Sequence, residues 1–116
     1  AVMRAFTLPK CTDEEVAARS AAIQEGMVGA ARVPLQNAER CASVLDLVAR
    51  LRGRSNRNAA SDLEVAGSLA RTALVGCLAN VAINVESIKD EDAALALTDR
   101  AGELRERLEI AEESHG

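Results

Sequence analysis

Residues 55–84 read SNRNAASDLEVAGSLARTALVGCLANVAIN, a polar loop that gives way within seven residues to a long apolar run. Ser61 followed three positions later by Glu64 has the form of a capping box, whose side chains satisfy amides that the first helical turn leaves unpaired. The spacing predicts a helix that begins at Asp62. Ala66, Leu69, Ala70, Ala73, Gly76, Cys77 and Asn80 recur at helical intervals. Most of these are small, so another helix is expected to approach this face closely.

The flanking sequence repeats the pattern. Upstream, Thr12 and Glu15 form a second capping box, with Asp13 and Glu14 suited to the positive start of a helix. Val16, Ser20, Ile23, Met27 and Ala30 then follow at alternating steps of four and three. Pro34 is expected to end or kink that helix and to sit in the first turn of the next. Ala38, Cys41, Ala42, Leu45, Val48 and Ala49 form the stripe of this second stretch, and Gly53 closes it behind Arg50 and Arg52. Downstream, a last helix is predicted from about Asp90. Its Leu97, Ala101, Leu104, Leu108 and Ala111 repeat at four, three, four, three, a coiled-coil-like seam. The opening Ala1, Val2 and Met3 read as the end of a further helix. No strand pattern, internal repeat or domain linker interrupts this order. The expectation is one all-α domain over residues 1–116, an antiparallel bundle of about four helices that dimerises.

Composition agrees. Of 116 residues, 48% are apolar and 28% charged, and Phe6 is the only aromatic residue. A core of Ala, Leu, Val and Ile suits close-packed helices better than a sandwich or barrel. The net charge of −4 argues against a nucleic-acid partner, which needs a broad basic face. No apolar run is expected to reach membrane-spanning length, and no signal-peptide pattern is present. Cys11, Cys41 and Cys77 lie 30 and 36 positions apart, neither a disulfide framework nor a metal-ligand spacing. Reduced thiols in a cytoplasmic protein are the expectation.

Few residues carry chemistry. The single histidine, His115, has no partner at metal or nucleophile spacing, and there is no Gly-rich phosphate loop. Arg50, Arg52, Arg54 and Arg57 form a dense basic cluster. It reads either as a solvated helix end or as a clamp for a phosphate or carboxylate. Asn80 and Asn84, one turn apart, read as helix–helix hydrogen-bonding groups or as ligand contacts. Asp62 is stabilised at a helix start whatever its role. If it is functional, that position favours the ionised form, and hence a base. Asp62 and Asn80 share a face but are 18 positions apart, about 27 Å along a straight helix. An antiparallel second chain would bring opposite ends alongside each other.

Five blocks, LPK (8–10), VPL (33–35), SNRNAASD (55–62), NVAIN (80–84) and SIKDED (87–92), occur in an order and at distances that resemble the formiminotransferase-cyclodeaminase/methenyltetrahydrofolate cyclohydrolase family. More narrowly, they resemble the C-terminal part of its cyclodeaminase domain. The family usually has Gly where Ser55 stands, and a Gly-rich helical segment upstream of the LPK block. The resemblance implies a dimerising helical domain that handles tetrahydrofolate one-carbon units. It would close 5-formimino-tetrahydrofolate to the 5,10-methenyl form, hydrolyse the methenyl bridge, or both. It places the catalytic role on Asp62 and implies a folate-type substrate with no metal or organic cofactor. Asn56, Asn58, Ser61, Asn80, Asn84, Arg54 and Arg57 are the candidate substrate-binding residues, the arginines for the glutamate carboxylates of folate. A catalytically inactive, shortened homologue serving as a helical dimerisation module is the alternative.

Overall fold

In the computed structural model, residues 2–115 are described, the last three of them as backbone only. They form α1 (Val2–Phe6), α2 (Asp13–Leu51), a 3-10 turn (Arg57–Ala59), α3 (Ala60–Val85) and α4 (Glu91–His115), with no strand among them. The all-α expectation holds. The molecule measures 66 × 23 × 15 Å because α2 and α3 lie antiparallel along most of their length, with α4 packed against both.

Local signals set most of the boundaries. The Thr12 hydroxyl accepts the Glu15 N–H at 3.1 Å and donates to its carboxylate at 3.2 Å. Gly53 takes φ of +73°, the left-handed conformation a glycine supplies beyond a helix end. The Asp90 carboxylate accepts the N–H groups of Asp92 and Ala93 at 3.1 and 3.3 Å, capping α4 near the predicted place.

Pro34 neither ends nor breaks its helix, and the two predicted stretches are one helix of 39 residues. A proline inside a helix removes the donor for the carbonyl four residues earlier, here that of Ala30. The Asn84 side chain on α3 donates to the Ala30 carbonyl at 3.0 Å. A carboxamide from the neighbouring helix thus supplies the hydrogen bond that the ring removes.

A second correction concerns the start of α3. Ser61 does not cap it: the residue preceding the helix is Ala59, and no side chain caps there. The helix grows out of the 3-10 turn, and the cap lies upstream at Asn56, whose side-chain oxygen accepts the Asn58 N–H at 3.0 Å. The packed face of α3 also differs from the predicted one. Gly67, Ala70, Leu74, Leu78 and Val81 point into the core, whereas Leu69, Ala73, Gly76 and Asn80 point outward. Arg57–Val85 further contains an 18-residue window of mean hydropathy 1.4, only 28% of it buried, so by length and composition this helix does reach the membrane-spanning range.

The core joins Ala31, Leu35, Ala38 and Ala42 of α2 to Leu74, Leu78 and Val81 of α3 and to the predicted Leu97, Leu104 and Leu108 of α4. Two ion pairs lash α4 to α2. Arg100 Nε donates to Glu39 at 2.8 Å, and Arg107 Nη2 to Asp46 at 2.6 Å. At the other end, α1 crosses α2 over Gly26, where a Cβ would lie 2.9 Å from the Val2 side chain and 3.1 Å from its Cα. Arg19 adds a stacking contact, its guanidinium 5.5 Å from the Phe6 ring centre.

Candidate active site

The α2–α3 connection gathers the polar residues of the SNRNAASD block at one end of the molecule. From Leu51 the chain turns tightly, the Arg54 and Ser55 N–H groups both donating to the Leu51 carbonyl at 3.0 and 3.1 Å. Asn56 then caps the 3-10 turn, leaving Asn58 and Arg57 exposed on it. One turn later Asp62 is the only acidic residue in the first turn of α3. Its side chain is exposed, and among the described residues it makes no hydrogen bond or ion pair. Ser61 is exposed beside it, without the capping role expected of it.

Arg50, Arg52, Arg54 and Arg57 surround this end, and none is engaged in an ion pair among the described residues. The positive helix start and the neighbouring guanidinium groups make a setting that attracts anions. Arg71, two turns along on the α4 side, is instead tied to Glu112 at 3.5 Å, too poorly aligned to count as a hydrogen bond to its buried Nε.

The other candidates lie elsewhere. Asn80 is exposed near the far end of α3, about 27 Å from Asp62 along the helix. Asn84 lies one turn beyond, half-buried, with its amide group given to the Ala30 carbonyl. The structure therefore brings together Arg54, Asn56, Arg57, Asn58, Ser61 and Asp62. It does not bring Asn80 or Asn84 to them on the same chain. A shallow groove of about 890 Å³ between α1 and α2 is not at the loop either. Val33 in its wall and Leu51 before the loop are separated by about 27 Å of helix, so groove and loop are not one site.

Two arrangements were not foreseen. Gln24 brackets the turn before α4, its Nε2 donating to the Ser87 carbonyl at 3.4 Å and its Oε1 accepting the Lys89 N–H at 2.8 Å. No pattern within a single helix could signal a partner 65 positions away. Cys41 and Cys77 meet across α2 and α3. Partial burial, and then the neighbouring Cys77 thiol, push the Cys41 thiol above its ordinary range. All three cysteines are free thiols, and no group of three or more metal-binding side chains forms among the described residues.

This helical chain, with its ordered blocks and Asp62 in the first turn of α3, belongs to the formiminotransferase-cyclodeaminase family, whose sequence model matches residues 1–103. Among characterised relatives, the methenyltetrahydrofolate cyclohydrolase of Methylorubrum extorquens is 39% identical over 115 residues, covering 93% of this chain and 55% of that protein. The formimidoyltransferase-cyclodeaminases of Sus scrofa and Mus musculus are 38% and 36% identical over 91 residues, covering 78% of this chain and 17% of each of those proteins. The chain thus spans about half the length of the cyclohydrolase and a smaller share of the two-function enzymes.

Proposed function

We propose that this domain acts on tetrahydrofolate one-carbon units. It would cyclodeaminate 5-formimino-tetrahydrofolate as a lyase, hydrolyse 5,10-methenyl-tetrahydrofolate as a hydrolase, or do both. Asp62 is its proton shuttle. The observation that carries the reading is family membership over residues 1–103, with an exposed, unengaged carboxylate at the matching position of the SNRNAASD block.

The methenyl carbon is an electron-poor, amidinium-like centre. Water adds to it as Asp62 takes one of the water's protons. The adduct collapses as its hydroxyl proton is lost to solvent and the bond from carbon to N5 breaks, and Asp62 returns the first proton to that nitrogen, giving 10-formyl-tetrahydrofolate. In the cyclodeamination direction the imino nitrogen takes a proton from solvent as N10 attacks the formimino carbon and gives its own proton to Asp62. Asp62 passes that proton to the amino nitrogen, whose bond to carbon breaks, releasing ammonia and leaving the methenyl cation. Arg54 and Arg57 hold the glutamate carboxylates of the substrate, and Asn56, Asn58 and Ser61 orient its polar edge; Asn80 and Asn84, at the far end of α3, join the binding set only from a second copy of the chain. The reading includes a cytoplasmic homodimer that needs no metal or organic cofactor and has neither nucleic acid nor a membrane as partner.

The test follows the near-ultraviolet absorbance of 5,10-methenyl-tetrahydrofolate, and ammonia release from the formimino substrate. Wild-type protein should accelerate one or both, and Asp62→Asn should abolish the gain. A wild-type rate equal to buffer would leave the non-catalytic helical module as the better description.

A further inference from the structure

The fold brings together two thiols that the sequence holds 36 positions apart. Cys41 stands beside Ala38 and Ala42 on the packed side of α2, and Cys77 beside Leu74 and Leu78 on that of α3. Both pack against the core that these residues form. On α2 that core is largely alanine, Ala31, Ala38 and Ala42, so the two backbones approach closely. Contacts on either side of the thiols show the same closeness. The Asn84 side chain reaches the backbone carbonyl of Ala30 at 3.0 Å, and a Cβ at Gly67 would lie 3.5 Å from Val48 Cγ1. Cys41 lies between Ala30 and Val48, Cys77 lies between Gly67 and Asn84, and the Cys77 thiol stands against that of Cys41.

Both thiols are free and half-buried, held by packing yet open to a small solute. Neither belongs to the candidate active site, since Cys77 is about 22 Å from Asp62 along α3. The third cysteine, Cys11, is exposed, and more than about 40 Å of α2 separates it from Cys41.

We propose that Cys41 and Cys77 form a reversible disulfide by exchange with a low-molecular-weight disulfide, a covalent staple between α2 and α3. One cysteine loses its proton and attacks a sulfur of the small disulfide. The S–S bond of that molecule breaks. One half leaves as a thiolate and takes up a proton, and the other stays on the protein as a mixed disulfide. The second cysteine, as thiolate, then attacks the protein-side sulfur, forming the Cys41–Cys77 bond and releasing the remaining half as a second thiol. Both cysteines are oxidised, two electrons pass to the small disulfide, and the two protons end on its released halves.

The position suits such a bond. A disulfide needs Cα atoms about 4.4–6.8 Å apart, a separation that helices packed through alanine reach and helices held apart by large side chains do not. The closed loop contains the whole SNRNAASD block, so the bond removes freedom from the unfolded chain without touching Asp62. In a reducing medium the pair stays open and the helices are held by packing alone. An oxidising shift closes it.

The test uses the full chain carrying Cys11→Ser, equilibrated with reduced and oxidised glutathione and quenched with acid. The intact mass should fall by two hydrogen atoms with no glutathione added. Both remaining thiols should disappear, proteolysis should release a peptide joining Cys41 to Cys77, and dithiothreitol should restore both thiols. The same equilibrium in urea measures the unfolded chain. The folded protein should favour the disulfide about tenfold or more over the unfolded chain, and its oxidised form should melt about 5 °C or more higher. Cys41→Ala and Cys77→Ala should each stop at the glutathione adduct without that rise. Neither result depends on turnover of a folate substrate. A Cys41–Cys77 pair that stops at the adduct, closes no more readily folded than in urea, links one chain to another instead of to itself, or leaves the melting temperature unchanged or lower would overturn the proposal.

Discussion

The hydrogen bond from Asn84 to the Ala30 carbonyl makes a prediction that can be measured without knowing the function. Pro34 removes the amide that would normally reach that carbonyl, and the Asn84 carboxamide replaces it at 3.0 Å. Asn84→Ala leaves the carbonyl without that donor. A polar group orphaned in a buried setting costs about 1–3 kcal/mol. Asn84 is half-buried, so the lower half of that range applies, about 1–1.5 kcal/mol once partial access to water is allowed for. In a Pro34→Ala background the residue 34 amide supplies the helical donor, and Asn84→Ala should then cost only its lost packing, about 0.5 kcal/mol or less. Urea unfolding of the four proteins, followed by far-ultraviolet circular dichroism, gives a double-mutant cycle, with equal m-values as the check that unfolding exposes the same surface in each. The expected coupling is about 1 kcal/mol, equivalent to a thermal shift of about 4 °C for a chain of this size. Additivity within about 0.5 kcal/mol would refute the account of how α2 tolerates its proline.

Further outcomes follow from the packing. Leu104, wholly buried between α2 and α3, should cost about 2–5 kcal/mol on truncation to Ala in thermal or urea unfolding. Gly26→Val should detach α1, because the added side chain would meet the backbone of Val2; amide exchange should rise in residues 2–6 while α3 and α4 keep their protection. Cys41 should react with iodoacetamide more slowly than exposed Cys11. Its raised pKa also disfavours the folded thiolate, so the stability present below the ordinary thiol pKa should fall as pH rises through the raised value, and Cys41→Ala should lessen that loss.

What the sequence disclosed and what it hid differ by physical range. Thr12, Gly53 and Asp90 act on amides or dihedrals within three residues of themselves, so their signatures are readable locally, as is the α4 seam of Leu97, Leu104 and Leu108. Pro34 misled because its local penalty is relieved by Asn84, 50 positions away and visible only once α2 and α3 are paired. Ser61 misled because Asn56 offers a competing cap through a 3-10 turn, from which α3 starts two residues earlier than predicted. The core face of α3 was ambiguous for a third reason. That helix is apolar on nearly every side, so periodicity alone cannot separate Leu74, Leu78 and Val81 from Leu69, Gly76 and Ile83.

The family blocks divide by what their side chains do. VPL and NVAIN form one structural device, a proline and the carboxamide that compensates it. SIKDED supplies the Asp90 cap of α4 and the turn that Gln24 holds. In SNRNAASD, Asn56 spends its oxygen on the 3-10 turn, but Arg54, Arg57, Asn58 and Asp62 have side chains with no structural partner among the described residues. Polar groups that the fold does not use are those free to meet a ligand. The two classes therefore separate in measurement. Asp62→Asn and Asn58→Ala should change unfolding free energy by no more than about 0.5 kcal/mol, as exposed substitutions do, while reducing turnover of the folate substrate. Asp90→Ala should cost about 1 kcal/mol through the lost cap, and Asn84→Ala about as much through the orphaned carbonyl. A loss of stability in Asp62→Asn comparable to that of Asp90→Ala would mean that Asp62 is held for the fold, and the proton shuttle would lose its strongest support.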